Sequence, residues 1–296
     1  MKVLLAGGSG LIGTALSESL IGDGHMVRKL VRRAPSQPSE VEWHPERGEL
    51  DPSVLDGIDA AVCLSGAGVG DKRWTNSYKQ ALRASRIGTS KTLADALASA
   101  HNGPRTFLAG SAVGYYGDAG DRIVDESTPA GDSFLARLCV DWEAASAPAQ
   151  QAGVRVVNLR TGLLLSANGG LLTRLKPIVW LGLGGRLGSG RQYCPWISMR
   201  DEIAAIRFLL DSPDVSGPVN LTGPEPVRNA EFIATVARLI HRPAIVPAPG
   251  FALRAVLGEF AEDILTGQRA VPAKLAGAGF EFADQTLEAA LRDALT

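Results

Sequence analysis

The chain has 296 residues, with 30 Lys and Arg against 31 Asp and Glu, a net charge of -1, 45% hydrophobic residues and 34 glycines. That length supports one large core or a main domain with an appendage, since single cores stop growing near ~250–300 residues. The balanced charge argues against a nucleic-acid or membrane-surface partner, and the only tight basic cluster is Arg28, Lys29, Arg32 and Arg33. The apolar run at 2–6 reads as a strand. A glycine-rich turn follows, then a helix over 14–21 with Leu16 and Leu20 at helical spacing, and a second strand over 26–31. The pattern recurs with strands at 60–64, 106–109 and 155–159 and long helices over 78–100 and 134–151. Strands alternating with helices predict a parallel sheet covered on both faces, an α/β fold. After Leu165 the texture changes to a glycine-rich stretch, 166–195. A helix over 201–210 follows, for which Asp201 fits the N-cap, then a strand over 219–221 and a helix over 229–240. Prolines at 243, 247 and 249 open a mainly helical C-terminal region, so the expected division is a main domain over 1–242 and a small one over 243–296.

Gly7-Gly8-Ser9-Gly10-Leu11-Ile12-Gly13 lies between the first strand and the first helix. Glycine can turn tightly, bring its backbone close to a pyrophosphate and let helix and strand pack closely. The helix N-terminus adds unpaired N–H donors and a partial positive charge. In this context the loop predicts a dinucleotide site, and the fold becomes a Rossmann-type doubly wound sheet. NAD binders place an acid about 20 residues past the loop for the ribose 2′-hydroxyl. Here no acidic residue lies between Asp23 and Glu40, and the strand ends Val31-Arg32-Arg33. Guanidinium groups there suit a 2′-phosphate, so the expected cofactor is NADP.

Cys63, Cys139 and Cys194 are odd in number and far apart, which suggests neither a disulfide framework nor a zinc site. His25, His44, His101 and His241 are scattered, and no metal is expected. A first strand starting at the first residues leaves no room for a signal peptide, and no apolar run reaches the ~18 residues of a membrane span. A cytoplasmic location is therefore expected.

Four further stretches carry a resemblance: Leu64-Ser65-Gly66-Ala67, Ser85-Arg86-Ile87-Gly88-Thr89, Ser111-Ala112-Val113-Gly114-Tyr115-Tyr116-Gly117 and Asp141-Trp142-Glu143. With the loop at 7–13, and with Arg73-Trp74-Thr75, Gly182-Leu183-Gly184-Gly185, Trp196-Ile197-Ser198 and Asn220-Leu221-Thr222-Gly223-Pro224, the chain resembles the extended short-chain dehydrogenase/reductases. Within them it is similar to an atypical subfamily of epimerase family proteins, related to nucleoside-diphosphate-sugar epimerases and carrying a C-terminal domain of unknown function. The resemblance implies cofactor contacts from Leu64, Ser65, Gly66, Ala67 and Arg86, beside those of Gly7, Ser9, Gly10, Leu11, Ile12, Gly13, Arg32 and Arg33. It also implies a sugar-nucleotide substrate and a homodimer paired through the 78–100 and 134–151 helices. Arg160 follows a strand end near the nicotinamide and would hold either a phosphate or a carboxylate.

Relatives use a Tyr-x-x-x-Lys pair, and this chain lacks one. The residues four after Tyr78, Tyr115, Tyr116 and Tyr193 are Leu82, Ala119, Gly120 and Ile197. No lysine occurs between Lys91 and Lys176, and the pair's places hold Leu135 and Cys139. By the resemblance Ser111 and Tyr116 are the catalytic candidates; the alternatives are a turn or ribose contact for Ser111 and packing for Tyr116. The loop Gly182 to Gly190, with Lys176, Arg186 and Arg191, would either meet a nucleotide diphosphate or serve as a plain mobile loop. The expected function is an NADP-dependent epimerase or oxidoreductase; the alternative is an NADP-binding regulatory or partner protein that has lost turnover.

Overall fold

The strands assemble into one seven-stranded, all-parallel sheet, seen in a computed structural model that describes residues 1–295. From edge to edge the order is Gly217–Leu221, Arg155–Thr161, Thr106–Ala112, Ala60–Cys63, Lys2–Ala6, Met26–Val31 and Glu40–Glu42. Every residue of Ala60–Cys63 and all of Val3 to Ala6 are buried, as strands covered on both faces require. On one face Leu16 and Leu20 of helix Leu11–Gly22 meet Ile206 and Leu209 of helix Met199–Asp211 over Val3 and Leu5. On the other, Leu93 and Leu97 of helix Thr89–Ser99 cover Leu4, Ala6 and Phe107. The order reverses between Lys2–Ala6 and Ala60–Cys63, and this switch point opens a crevice at the carboxyl ends of the strands.

Several expectations needed correction. The helix over 78–100 runs without a break from Asn76 to Ser99, as expected, but a π-helical turn, Ala84–Gly88, lies between its segments Asn76–Arg83 and Thr89–Ser99. The helix over 134–151 breaks after Phe134–Ala144 and resumes as Ala147–Gln151, with Pro148 in its first turn, where a missing N–H costs nothing. Short strands such as Glu40–Glu42 and Leu163–Leu165 were not expected, because segments of three residues are too short to show an alternation. Asp201 is not the N-cap. Ser198 takes that position, its hydroxyl accepting from the Asp201 N–H at 3.1 Å, while the fully buried Asp201 carboxylate accepts from the N–H groups of Ala283 and Asp284. That carboxylate ties the C-terminal region to the sheet domain.

The C-terminal region is mainly helical and threads back onto the main body. Arg269–Ala270 pairs with Ile123–Val124, and Leu275 joins the core on the Val3 face. Helix Leu287–Leu295 packs Leu287 and Leu291 against Phe232 and Val236. Among the described residues no helix is long and apolar enough to cross a membrane.

Glu202, beside Asp201, is also fully buried, and among the described residues its carboxyl accepts only from the Thr161 hydroxyl, at 2.8 Å, with no partner for Oε2. Burial pushes its carboxyl up from 4.5 to about 8, against the smaller opposing effect of Thr161. The native state thus holds a proton that the unfolded chain gives up. Glu202 contributes its full stability below pH 4.5, and that contribution drains away as pH rises through about 8. Glu202→Gln should flatten this part of the stability profile, gaining about 3–5 kcal/mol over the natural protein at alkaline pH relative to its position at acid pH. Urea denaturation at a series of pH values checks it; parallel profiles for the two proteins would refute it.

Candidate functional site

The crevice at the switch point is lined first by the glycine loop. Gly7 has φ +82, and a Cβ there would come within 2.6 Å of the Leu64 carbonyl carbon and 2.8 Å of the Ser65 nitrogen. The loops after the two central strands therefore touch, and only glycine permits it. A Cβ on the buried Gly13 would overlap the Gly7 carbonyl oxygen. Helix Leu11–Gly22 begins at Gly10 without a side-chain cap. The backbone N–H groups of Leu11, Ile12 and Gly13 find no acceptor among the described residues, whereas that of Thr14 reaches Gly10. Ser9 and Gly10 stand exposed at the mouth. Close-packed glycines under unpaired N–H donors at a helix N-terminus fit the pyrophosphate of a dinucleotide. Gly7, Ser9, Gly10, Leu11, Ile12 and Gly13 are the residues that would hold it.

At the end of the second strand the basic cluster separates by role. Arg33 forms a bidentate pair with Glu40, at 2.8 and 2.6 Å, and Glu40 also accepts from the Ser36 N–H. The Arg33 bond lowers the Glu40 carboxyl to about 2. The stem of Lys29 packs against Gly8, 3.2 Å from where a Cβ would stand, and Arg28 reaches the Val54 carbonyl. Arg32 is exposed and makes no side-chain hydrogen bond or ion pair among the described residues. Of the two arginines expected to receive a 2′-phosphate, one is already committed to holding its own loop and one is free.

Where strands Thr106–Ala112 and Arg155–Thr161 pair near their carboxyl ends lies a buried polar chain. The Ser111 hydroxyl donates to Glu143 Oε1 at 2.6 Å. Glu143 accepts a bidentate pair from Arg160, Nε to Oε1 at 2.7 Å and Nη2 to Oε2 at 2.9 Å. Arg160 also donates from Nη1 to the Tyr116 hydroxyl at 3.0 Å and lies over the Tyr115 ring, 3.4 Å from its centroid. Tyr116 in turn donates to Asn220 Oδ1 at 2.7 Å, and the Asn220 N–H donates to Glu126. Of the two partners open for Arg160, a phosphate and a carboxylate, its fork has the carboxylate. Burial alone would lower its pKa, but the bonds and charge of Glu143 outweigh that and the net direction is up. Burial pushes the Tyr116 phenol up to about 12, with Arg160 and Asn220 opposing. A phenol so placed, with its proton given to Asn220, is poorly suited to general acid or base work near neutral pH. Ser111 is buried near the carboxyl end of strand Thr106–Ala112, and with its single proton given to Glu143 its hydroxyl keeps lone pairs to offer.

Leu64, Ser65, Gly66 and Ala67 form the loop facing the glycines. The Ala67 N–H donates to Ser85 Oγ at 3.0 Å, and Arg86 Nη2 donates to the Ala67 carbonyl at 2.8 Å. Arg86 thus lies beneath this loop. Of the cations beside the Gly182 to Gly190 loop, Lys176 caps the Leu295 carbonyl, while Arg186 and Arg191 are exposed, Arg191 adding its charge to the surroundings of Asp121. No cluster of His, Cys, Asp and Glu suited to a metal occurs among the described residues. Sequence reasoning missed Glu143, Asn220 and Glu126 as network members. Glu143 and Asn220 were visible only as parts of motifs, and Glu126 gives no local signal.

A parallel sheet with a dinucleotide cradle at its switch point defines a nucleotide-cofactor protein of the Rossmann class. Comparison with known proteins then places it. Residues 3–222 match the NAD dependent epimerase/dehydratase family, and residues 248–294 match a domain of unknown function, DUF1731. The chain belongs to the NAD dependent epimerase/dehydratase family. It is 51% identical over 295 residues to epimerase family protein Mb2239 of Mycobacterium bovis, covering 99% of this chain and 97% of that one. The crystal structure of human epimerase family protein SDR39U1 (isoform 2) with NADPH superposes with a TM-score of 0.92, at 33% identity and 99% coverage of both chains. MoeE5 in complex with UDP-glucose and NAD shares the fold, with a TM-score of 0.78 at 21% identity over 100% of this chain and 97% of that one.

Proposed function

We propose that the chain is an NADP(H)-dependent oxidoreductase or epimerase acting on a hydroxyl or carbonyl carbon of a sugar nucleotide or a similar compound. The observation that carries the reading is the free Arg32 at the end of the second strand, in line with the cradle of Gly7 to Gly13. The NADPH of the human relative and the UDP-glucose of MoeE5 support it. NADP supplies hydride exchange when bound. The glycine loop would hold its pyrophosphate and Arg32 its 2′-phosphate. Ser111, held by Glu143, would accept a hydrogen bond from a substrate hydroxyl and so orient its C–H bond. Tyr116 would act through Arg160, keeping Glu143 in place, instead of moving a proton itself. The same reading has the protein working in the cytoplasm as a homodimer paired through helices Asn76–Arg83, Thr89–Ser99 and Phe134–Ala144, the last of which carries the exposed Val140. It also keeps a division into a main domain and a C-terminal one at residues 242 and 243.

NADPH oxidation over a panel of sugar nucleotides and small carbonyls tests the enzyme reading. Turnover should appear with at least one compound and fall roughly a hundredfold in Ser111→Ala. Cofactor binding without turnover across the panel would favour the second reading, an NADP-binding regulator. The double engagement of Tyr116, with no lysine four residues after any tyrosine, supports that alternative.

A further inference from the structure

Arg86 carries a buried charge that no carboxylate among the described residues pairs with. It is only 9% exposed. Its hydrogen bonds go to main-chain carbonyls, Nη1 to Leu82 at 3.2 Å and Nη2 to Ala67 at 2.8 Å, and its Cζ lies 5.2 Å from the centre of the Trp142 ring. The two acids of the neighbouring helix are taken, Asp141 by Arg83 and Glu143 by Arg160. Burying a cation costs free energy that two carbonyl dipoles and a ring face return only in part. Arg155, at the opposite, amino end of the sheet, shows the structural use of such a residue. Its fork bonds the Val215, Leu209 and Leu210 carbonyls and the Thr106 hydroxyl, closing the end of helix Met199–Asp211. Arg86 closes no helix.

Its backbone is also out of the ordinary. Ala84–Gly88 is a π-helical turn inside an otherwise α-helical run, a rare feature that re-aims side chains and is found at functional sites. The Thr89 hydroxyl shares its proton between the carbonyls of Ser85 and Arg86, at 2.9 and 3.0 Å, and its backbone N–H also meets the Arg86 carbonyl. The turn swings Arg86 under the carboxyl rim of the sheet. A Cβ on Gly66 would stand 3.1 Å from the guanidinium carbon, so this glycine lets the loop after Ala60–Cys63 lie directly on it. The other wall is helix Phe134–Ala144, where the buried Cys139 feels the charges of both Arg86 and Arg160. Arg86 and Arg160 thus face a wall whose two acids are both engaged by other arginines, Glu143 by Arg160 and Asp141 by Arg83.

We propose that Arg86 is the anion-binding residue of this crevice, taking an anionic oxygen of the carboxylate class from a second ligand bound beside the cofactor. The proposal rests on the reading of the crevice as an NADP(H) site and narrows its substrate to one that carries such a group in the half that enters the crevice. The cofactor's own phosphates are the competing source of anionic oxygen, and the experiment separates the two.

The full-length protein is saturated with NADPH, whose fluorescence reports its binding, and then titrated with acetate, with acetamide as the neutral control. The natural protein should give a saturable response to acetate and none to acetamide. Arg86→Gln, which keeps a donor for the Ala67 carbonyl, should bind acetate at least tenfold more weakly when both proteins are compared at NADPH concentrations that saturate each, and Arg86→Lys should retain most of the response. If Arg86→Gln does not fold, the Arg86 Nε–H resonance of the natural protein carries the test and should move with acetate concentration. No acetate response in the NADPH-loaded natural protein, an unchanged response in Arg86→Gln, a still Arg86 resonance, or a defect of Arg86→Gln confined to NADPH affinity would each overturn the proposal. Failure of NADPH to bind at all would instead remove the cofactor reading beneath it.

Discussion

Replacing Glu143 with alanine is expected to lower the free energy of unfolding by about 3–5 kcal/mol, read from urea denaturation at neutral pH. The Arg160 side chain is 3% exposed and that of Glu143 13%, so the pair is shielded from the water that makes surface ion pairs nearly worthless. Removing the carboxylate leaves a guanidinium that meets, among the described residues, the Tyr116 hydroxyl and the rings of Tyr115 and Tyr116. The Ser111 hydroxyl loses its acceptor in the same step. Taking out both charges is a different matter: Glu143→Leu with Arg160→Met should recover much of the loss, because the cost lies in the unpaired charge and not in the absence of the bridge. A loss below about 1 kcal/mol for Glu143→Ala would show that water reaches the pair and that the network is not what holds Ser111 in place.

The second large effect is on the cradle. Gly13→Ala puts a methyl group into the Gly7 carbonyl, which is backbone and cannot swing aside. The strand–turn–helix junction must open, costing about 1–3 kcal/mol of stability. It must also move the unpaired N–H groups of Leu11 and Ile12 away from where a pyrophosphate would sit. Cofactor affinity should fall at least about a hundredfold, which is about 2.7 kcal/mol. Gly22→Ala is the control, since nothing stands within 4 Å of its would-be Cβ and its φ is not positive. That change should leave binding untouched and should not destabilise the helix. Equal affinities for Gly13→Ala and the natural protein would mean the loop does not carry the phosphate.

What could be read from the sequence was local. The glycines at 7, 10 and 13 lie within one turn between a strand and a helix, so their spacing already states their geometry. Arg32 and Arg33 were legible as a pair because they end a strand, but not as two different residues. Glu40 singles out Arg33 only once the short strand Glu40–Glu42 is laid beside Met26–Val31. The network around Arg160 was invisible for the same reason: Glu143 is 17 residues away, and Asn220 is 104 from its partner Tyr116. Asp201 fits the pattern of an N-cap. The assignment fails because Ser198, three residues earlier, already satisfies the helix, and the buried carboxylate serves a distant turn instead. The π-helical turn at Ala84–Gly88 leaves apolar spacing almost unchanged, so only the resemblance, and no local pattern, singled out Arg86.

The account turns on one free guanidinium, and equilibrium binding of NADPH and NADH to the natural protein and to Arg32→Ala and Arg33→Ala addresses it most directly. A charge-assisted pair with a 2′-phosphate predicts that the natural protein prefers NADPH by at least about tenfold and that Arg32→Ala abolishes the preference while leaving NADH affinity alone. Arg33→Ala should keep most of the preference, because Glu40 already holds that side chain. Equal affinity of the natural protein for the two cofactors, or a preference that survives Arg32→Ala, would contradict it.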